Sequence, residues 1–179
     1  MKQVLSPKEF KTVLESIAGD FHKDNEAVCR HGAEWLGIVG IQTRGVHVAG
    51  RIAGILKKKH KAQANVGSLD ITLYRDDVGE IGSQPLVKET DIPFPVEGKT
   101  VLLVDDVLYT GRTIRAALDA LLELGRPKQI FLACVVDREG RELPIRADYA
   151  GLNMKVKAGE KVQLKVKEVD GKDGIWIVQ

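Results

Sequence analysis

The chain lacks most of the features that mark a specialised environment. Only two cysteines occur in 179 residues. Cys29 and Cys134 lie far apart and form no CxxC pair, so they read as small buried hydrophobes in a reducing compartment rather than as a disulfide framework. No apolar run approaches the roughly 18 to 20 residues that cross a bilayer, and the N-terminus has no signal-peptide layout. A cytoplasmic protein with no membrane partner is expected. Charge of one sign is also missing: 27 Lys and Arg face 25 Asp and Glu, a net of +2, which excludes a uniformly basic nucleic-acid coat and permits only a local patch. There is no GxG triplet, so the dinucleotide fingerprint is absent. Gly40 and Gly45 have P-loop spacing, but Val46-His47 follows where Lys and Ser/Thr are required. Gly98-Lys99-Thr100 precedes its strand and lacks the earlier Gly. Hydride-transfer and P-loop chemistry are thereby set aside. No repeat or Pro/Gly/Ser linker divides the chain, and residues 1–179 read as one domain.

What is present is an ordinary globular balance, 44% hydrophobic and 29% charged, with only 5% aromatic residues. Ser6-Pro7-Lys8-Glu9 predicts a capping box opening a helix, with Phe10, Val13, Leu14, Ile17, Ala18 and Phe21 on its buried face. After a polar break at His22 to Glu26, Leu36 to Ile41 reads as a short buried strand and Gln42-Thr43-Arg44-Gly45 as a turn. Val46, Val48, Ala49, Ile52, Ala53 and Leu56 then predict a helix closed by Lys57-Lys58-Lys59, where cations suit the negative end of the dipole. Ile71, Leu73 and Tyr74 suggest a strand, and the polar stretch from Arg75 to Pro95 a long functional loop. Val101-Leu102-Leu103-Val104 is the strongest strand, ended by Asp105-Asp106. Ile114, Ala117, Leu118, Leu121 and Leu122 mark a helix that stops at Gly125, and Ile130 to Val136 another buried strand. Continuous apolar strands alternating with helices predict an α/β fold with a parallel sheet covered on both faces. Beyond Asp137 an Arg-rich loop and short strands follow, with alternation in Val162, Leu164 and Val166 and later Ile175 and Ile177.

In such a sheet the ligand lies at the carboxyl ends of the strands, and two strand-to-helix turns there carry chemically loaded residues. One is Thr43-Arg44-Gly45. The other runs from Asp105 to Thr113. Its paired carboxylates suit a diol or a hydrated Mg²⁺. Thr110, Gly111 and Thr113, with the free N–H groups of a helix start, suit a phosphate. A phosphorylated ribose satisfies both halves.

The run Val101-Leu102-Leu103-Val104-Asp105-Asp106-Val107-Leu108-Tyr109-Thr110-Gly111-Arg112-Thr113 resembles the phosphoribosyl pyrophosphate (PRPP) signature of type I phosphoribosyltransferases. With Leu69-Asp70-Ile71-Thr72-Leu73-Tyr74-Arg75-Asp76-Asp77 upstream and Arg141-Glu142-Leu143-Pro144-Ile145-Arg146-Ala147-Asp148-Tyr149 downstream, the chain is similar to the PyrR family. That family comprises bacterial pyrimidine-operon attenuation regulators that are also uracil phosphoribosyltransferases. The resemblance implies the type I fold, with a flexible hood loop and a small C-terminal β portion. It also implies a Mg²⁺-dependent conversion of uracil and PRPP to UMP and pyrophosphate. Asp105 and Asp106 would hold the ribose hydroxyls, directly or through Mg²⁺, and Val107 and Leu108 would lead into Tyr109, Thr110, Gly111, Arg112 and Thr113 on the 5′-phosphate. Thr43, Arg44 and Gly45 would bind the pyrophosphate, with Arg44 stabilising its departure. Arg75, Asp76 and Asp77 would belong to the hood that closes over PRPP, with Arg75, like Val107 and Leu108, among the PRPP-binding residues. Backbone groups near Val136, Asp137 and Arg138, with Ile145, would read uracil, although Asp137 and Arg138 are also placed to form a structural ion pair.

The resemblance further implies a homodimer or larger homo-oligomer and a pyrimidine-operon mRNA leader as partner, contacted by Arg138, Arg141 and Arg146. The chain departs from the family's pattern on this face. Glu15-Ser16-Ile17-Ala18-Gly19 stands where Thr-Arg-Ile-Ala-His is usual, Leu152 replaces a Lys, and Glu139-Gly140 replaces Gly-His. Two other readings use the same signature: a regulator with little catalysis, and transfer to another base such as a purine or orotate.

Overall fold

The computed structural model describes residues 1–76 and 88–179. In chain order the elements are β1 (Lys2–Leu5), α1 (Pro7–Asp24), α2 (Glu26–His31), β2 (Leu36–Ile41), α3 (Arg44–His60), β3 (Asn65–Leu69), β4 (Thr100–Leu108), α4 (Arg112–Glu123), β5 (Gln129–Arg138), β6 (Tyr149–Met154), β7 (Lys161–Lys165), α5 (Lys167–Asp170) and β8 (Gly174–Val178). Five strands form a parallel sheet in the order β3-β2-β4-β5-β6. The chain moves outward from β2 to β3, then crosses back to β4 and runs the other way. The reversal falls between β2 and β4, where an open α/β sheet leaves a crevice beyond its carboxyl ends.

All six residues of β2 are buried, as are Thr100 to Asp105 of β4, because both faces of the sheet are covered. On one side Phe10, Leu14, Ile17 and Phe21 of α1 and Val48, Ile52 and Leu56 of α3 pack on Ile38, Leu102, Val104 and Val135. On the other, Ile114, Ala117 and Leu121 of α4 meet Val39, Val101, Leu103 and Leu132, with Phe94 closing the edge. The capping box is formed: the Glu9 N–H donates to Ser6 Oγ at 3.4 Å and the Ser6 N–H to Glu9 Oε2 at 2.8 Å, an arrangement worth about 1 kcal/mol. Both cysteines are buried. Burial pushes the Cys29 thiol up to about 11 and raises that of Cys134 further, so neither is a nucleophile.

Several boundaries differ from the sequence reading. Ile71 to Tyr74 is not a strand: Thr72–Tyr74 is a 3-10 turn and the strand is Asn65–Leu69. Asp70 causes the break, since its Oδ1 accepts the Thr72 N–H at 3.0 Å and the Thr72 hydroxyl at 2.6 Å, an Asx-type turn that ends the ladder. Strand β4 continues through the carboxylate pair to Leu108, because its pairing with β5 runs on from Asp105–Cys134 to Leu108–Asp137. Arg44 and Gly45 already belong to α3, and the stretch from His22 to Asp24 remains helical. The small sheet is not purely C-terminal. Its order is β1-β8-β7, with the N-terminal strand antiparallel to β8. Leu164 and Ile175 from this sheet, with Val166 just beyond β7, join the same core as α1 and α3.

Candidate active site at the carboxyl ends of β2 and β4

Two glycines set the geometry. Gly40 near the end of β2 lets α3 start directly above it, since an added methyl would lie 2.4 Å from Val46 Cα. Gly45 lets the same helix start touch β4: its missing methyl would fall 2.6 Å from the Val104 carbonyl oxygen and 3.3 Å from Asp105 Cα. The loop at Thr43 and Arg44 is thereby pressed against the carboxylate pair. Between them opens a cleft of about 250 Å³ lined by Gln42, Thr43, Arg44, Asp70, Ile71, Thr72, Arg75, Asp105, Asp106, Val107 and Thr113. The structure thus brings together residues of the Thr43–Gly45 turn, the Leu69–Asp77 motif and the Asp105–Thr113 run, while no residue of the Arg141–Tyr149 motif lines this cleft.

The two carboxylates are not equivalent. Asp105 is buried, at 6% exposure, and accepts the Asp106 N–H at 2.9 Å. Burial raises its pKa well above the carboxylate range and the neighbouring Asp106 charge adds to this, against the opposing effect of that N–H. Asp106 is more open and accepts the Val107 N–H at 2.8 Å.

Beyond β4, Tyr109 and Thr110 turn into α4, whose N-cap is Gly111 at φ +95°, a conformation that favours glycine. No side chain caps this helix start. Apart from the Arg112 N–H, which Thr110 Oγ1 accepts, the N–H groups of its first turn can serve an anion. Thr110 Oγ1 lies 3.3 Å from the Arg112 N–H. The Thr110 carbonyl accepts the N–H groups of Glu142 and Leu143, both at 3.0 Å, which fixes the loop from the other side. Arg112 bridges outward to Glu142 at 2.7 Å and Asp76 at 2.5 Å. Of the expected hood residues, Arg75 lines the cleft and Asp76 meets Arg112. Asp77 lies outside the described residues.

The side chains of the residues whose backbone is expected to read the base lie in different surroundings. Val136 is fully buried in the core, and Ile145 packs beside Gly111. Asp137 pairs with Arg141, not with Arg138. The Arg138 guanidinium instead lies 3.9 Å above the Tyr109 ring, within cation–π range, and its Nε is buried without a partner. Arg141 also donates to the Tyr109 carbonyl at 2.5 Å. Asp137, Arg138, Arg141, Arg146, Asn153 and Lys155 line a second cleft of about 460 Å³.

Three residues of the site were not singled out from sequence. Asp70, besides ending β3, accepts the Lys88 N–H at 2.5 Å. Lys88 in turn donates from Nζ to Thr43 Oγ1 at 2.6 Å, which brings a cation to the Thr43–Gly45 loop. Arg44 makes a bidentate pair with Asp170, 3.0 Å from Nε and 2.7 Å from Nη2. This raises the Arg44 pKa and lowers that of Asp170. Asp70 stood inside a recognised motif, but nothing in the sequence links Asp170 to a residue 126 positions away.

Residues 2–167 match the family model described as phosphoribosyl transferase domain. The protein named Bifunctional protein PyrR from Thermus thermophilus is 51% identical over 173 residues, covering 97% of this chain and 93% of that protein. The protein of the same name from Deinococcus radiodurans is 49% identical, covering 95% and 90%. Among solved structures, the hypoxanthine phosphoribosyltransferase of Trypanosoma cruzi superposes with a TM-score of 0.74 at 18% identity, over 99% of this chain and 95% of that one. A hypoxanthine-guanine phosphoribosyltransferase from Bacillus anthracis gives 0.65 at 17%, over 86% and 82%. The structural likeness establishes the type I phosphoribosyltransferase fold, and the sequence likeness over nearly the whole length places this chain in the PyrR family.

Proposed function

We propose that the whole chain, residues 1–179, works as one uracil phosphoribosyltransferase unit that takes PRPP in the cleft between β2 and β4. The observation that carries this reading is the continuity of three recognition surfaces. A carboxylate pair near the end of β4 is followed within a few residues by the N-terminus of α4, and the glycine-tight Thr43–Gly45 loop faces the pair. Asp106, with Asp105 behind it, would hold the ribose hydroxyls. Tyr109 to Thr113 would seat the 5′-phosphate on backbone N–H groups, and Arg44 and Lys88 would meet the pyrophosphate. As uracil N1 bonds to the anomeric carbon, releasing its proton to solvent or to the departing pyrophosphate, and the pyrophosphate oxygen leaves, positive charge grows on the ribose and negative charge on the leaving group. Fixed carboxylates beside the sugar and cations beside the phosphates would stabilise both developing charges.

The carboxylates of the cleft are hard oxygen donors that suit Mg²⁺. Among the described residues no three His, Cys, Asp or Glu side chains converge. Asp106 and Asp105 would be the residues to hold a hydrated Mg²⁺ beside the substrate. When bound it would neutralise phosphate charge.

The direct test is conversion of labelled uracil to UMP with PRPP and Mg²⁺, with hypoxanthine and orotate as competitors. Uracil alone should be consumed. Turnover of a purine or orotate, or of no base, would overturn the assignment. A companion prediction concerns Lys88: Lys88→Ala should raise the PRPP KM about tenfold and leave the uracil KM unchanged, as steady-state kinetics will read.

A regulatory role on RNA is favoured by one observation, the gathering of Arg138, Arg141, Arg146 and Lys155 about the second cleft. On α1, Glu15 is paired with Lys59 at 2.7 Å, which takes up one of the cations near that face. Leu152 likewise has a structural task, packing against the core edge. Arg146→Ala should weaken retention of a pyrimidine-operon leader RNA and reduce the slope of log affinity against log salt by about 1. Unchanged affinity and slope would remove Arg146 from the interface. The buried free thiols suit a cytoplasmic setting, and no helix among the described residues is long and apolar enough to cross a membrane. By family likeness we expect a homo-oligomer.

A further inference from the structure

The turn between β7 and β8 is fastened to α3 at two places. Arg51 binds Glu168 at 2.7 Å and Asp173 at 2.8 Å. Two helical turns earlier, Arg44 grips Asp170 through Nε and Nη2. The Asp170 carboxylate is itself held, its Oδ2 accepting the Val166 N–H at 2.9 Å. Its side chain is 13% exposed, against 41% and 22% for Glu168 and Asp173. If the only task were to dock the C-terminal turn, the Arg51 pairs already perform it. Arg44 differs from Arg51 in lining the PRPP cleft. A guanidinium has five N–H donors, of which Asp170 takes two and leaves three. A bidentate carboxylate fixes the plane of the group as well as its position.

We propose that Asp170 is a positioning residue for the phosphoribosyl transfer. It holds the Arg44 guanidinium in a fixed plane at the cleft wall, so that the remaining N–H groups meet the pyrophosphate without first being ordered. The inference rests on the reading of this cleft as the PRPP site. An arginine on a free stem loses rotamer freedom each time it grips an anion, and one already anchored does not. The gain belongs to PRPP and leaves the base untouched.

The test compares variants by titration calorimetry with PRPP and Mg²⁺ and by steady-state kinetics with uracil. Asp170→Asn should weaken PRPP binding and lower kcat/KM for PRPP about tenfold, with the uracil KM unchanged. Asp170→Glu should recover part of the loss. Glu168→Gln and Asp173→Asn, which loosen the same turn through Arg51, should leave PRPP affinity within about twofold. Placed on Arg44→Ala, Asp170→Asn should add nothing, because its effect passes through Arg44. Should Asp170→Asn fail to fold, Arg44→Lys, which keeps the charge but not the fork, should show the same loss. Unchanged or tighter PRPP binding in Asp170→Asn would overturn the proposal, the latter because Asp170 would then be a competitor for Arg44. Equal losses in Glu168→Gln, or additivity with Arg44→Ala, would reduce Asp170 to a structural residue. If Arg44→Ala itself binds PRPP normally, the cleft assignment fails instead, an outcome separate from failure of Asp170 alone.

Discussion

Asp105→Asn is expected to melt at a higher temperature than the parent at neutral pH while turning over at least about a hundredfold more slowly. Burial, and then the Asp106 charge, raise the Asp105 pKa in the folded chain. A raised folded-state pKa means that the native protein holds the proton more tightly than the unfolded chain, whose aspartates titrate near about 3.9. Below that pH both states are protonated and the parent carries no penalty. As pH rises through and beyond it, the unfolded chain ionises freely and the native one must ionise a buried carboxyl, so parent stability falls relative to the neutral variant. The gain from Asp105→Asn should therefore vanish near pH 4 and grow toward neutrality. It should read as roughly 2–4 °C in Tm for each kcal/mol relieved. Activity moves the opposite way. A cation or polarised diol in the cleft draws the proton from Asp105, and an amide cannot follow. Melting curves from pH 4 to 8 beside kcat will check both halves; equal Tm across that range would show that the buried carboxyl costs nothing.

Gly45→Ala should damage fold and catalysis together. The new methyl would meet the Val104 carbonyl oxygen at 2.6 Å. That atom is backbone, in the middle of the sheet, and cannot rotate aside. Overpacking of this kind costs about 1–3 kcal/mol. The least resistant response is for the start of α3 to lift from β4, which moves Thr43 and Arg44 away from Asp105 and Asp106. Because phosphoryl-bearing substrates are gripped from both walls, a displacement near 1 Å is expected to cost about a hundredfold in kcat/KM for PRPP. Gly54→Ala, on the same helix where an added methyl meets nothing within 4 Å, is the control and should keep full activity. Full activity in Gly45→Ala would show that the two walls need not touch.

The contrast between these glycines illustrates which parts of the molecule were legible in the sequence. Leu36 to Ile41 and Val101 to Val104 were readable because a strand covered on both faces must be apolar at every position. Strand β3 was not, since Asn65, Gly67 and Ser68 dilute its pattern at the sheet edge. The 3-10 turn after it borrowed the apolar look of Ile71, Leu73 and Tyr74, while the deciding interaction was the Asp70 side chain on Thr72. In the site, Asp105, Asp106 and the Thr110–Thr113 loop were legible because they are contiguous and each residue type has its own chemical use. Arg44 was legible as a cation after a strand, but its anchor Asp170 came from the other end of the chain. The stacking of Arg138 on Tyr109 and the pairing of Asp137 with Arg141 depend on how the loop before β6 folds back, and local spacing carries no trace of that.

The central claim is that β4 presents a ribose and a phosphate site in succession to one cleft. The most direct test is a crystal structure with UMP bound. The phosphate is expected on the backbone N–H groups between Tyr109 and Thr113, with the ribose hydroxyls at Asp106 and Asp105. A phosphate seated instead among Arg138, Arg141 and Arg146, with the β2–β4 cleft vacant, would contradict the account.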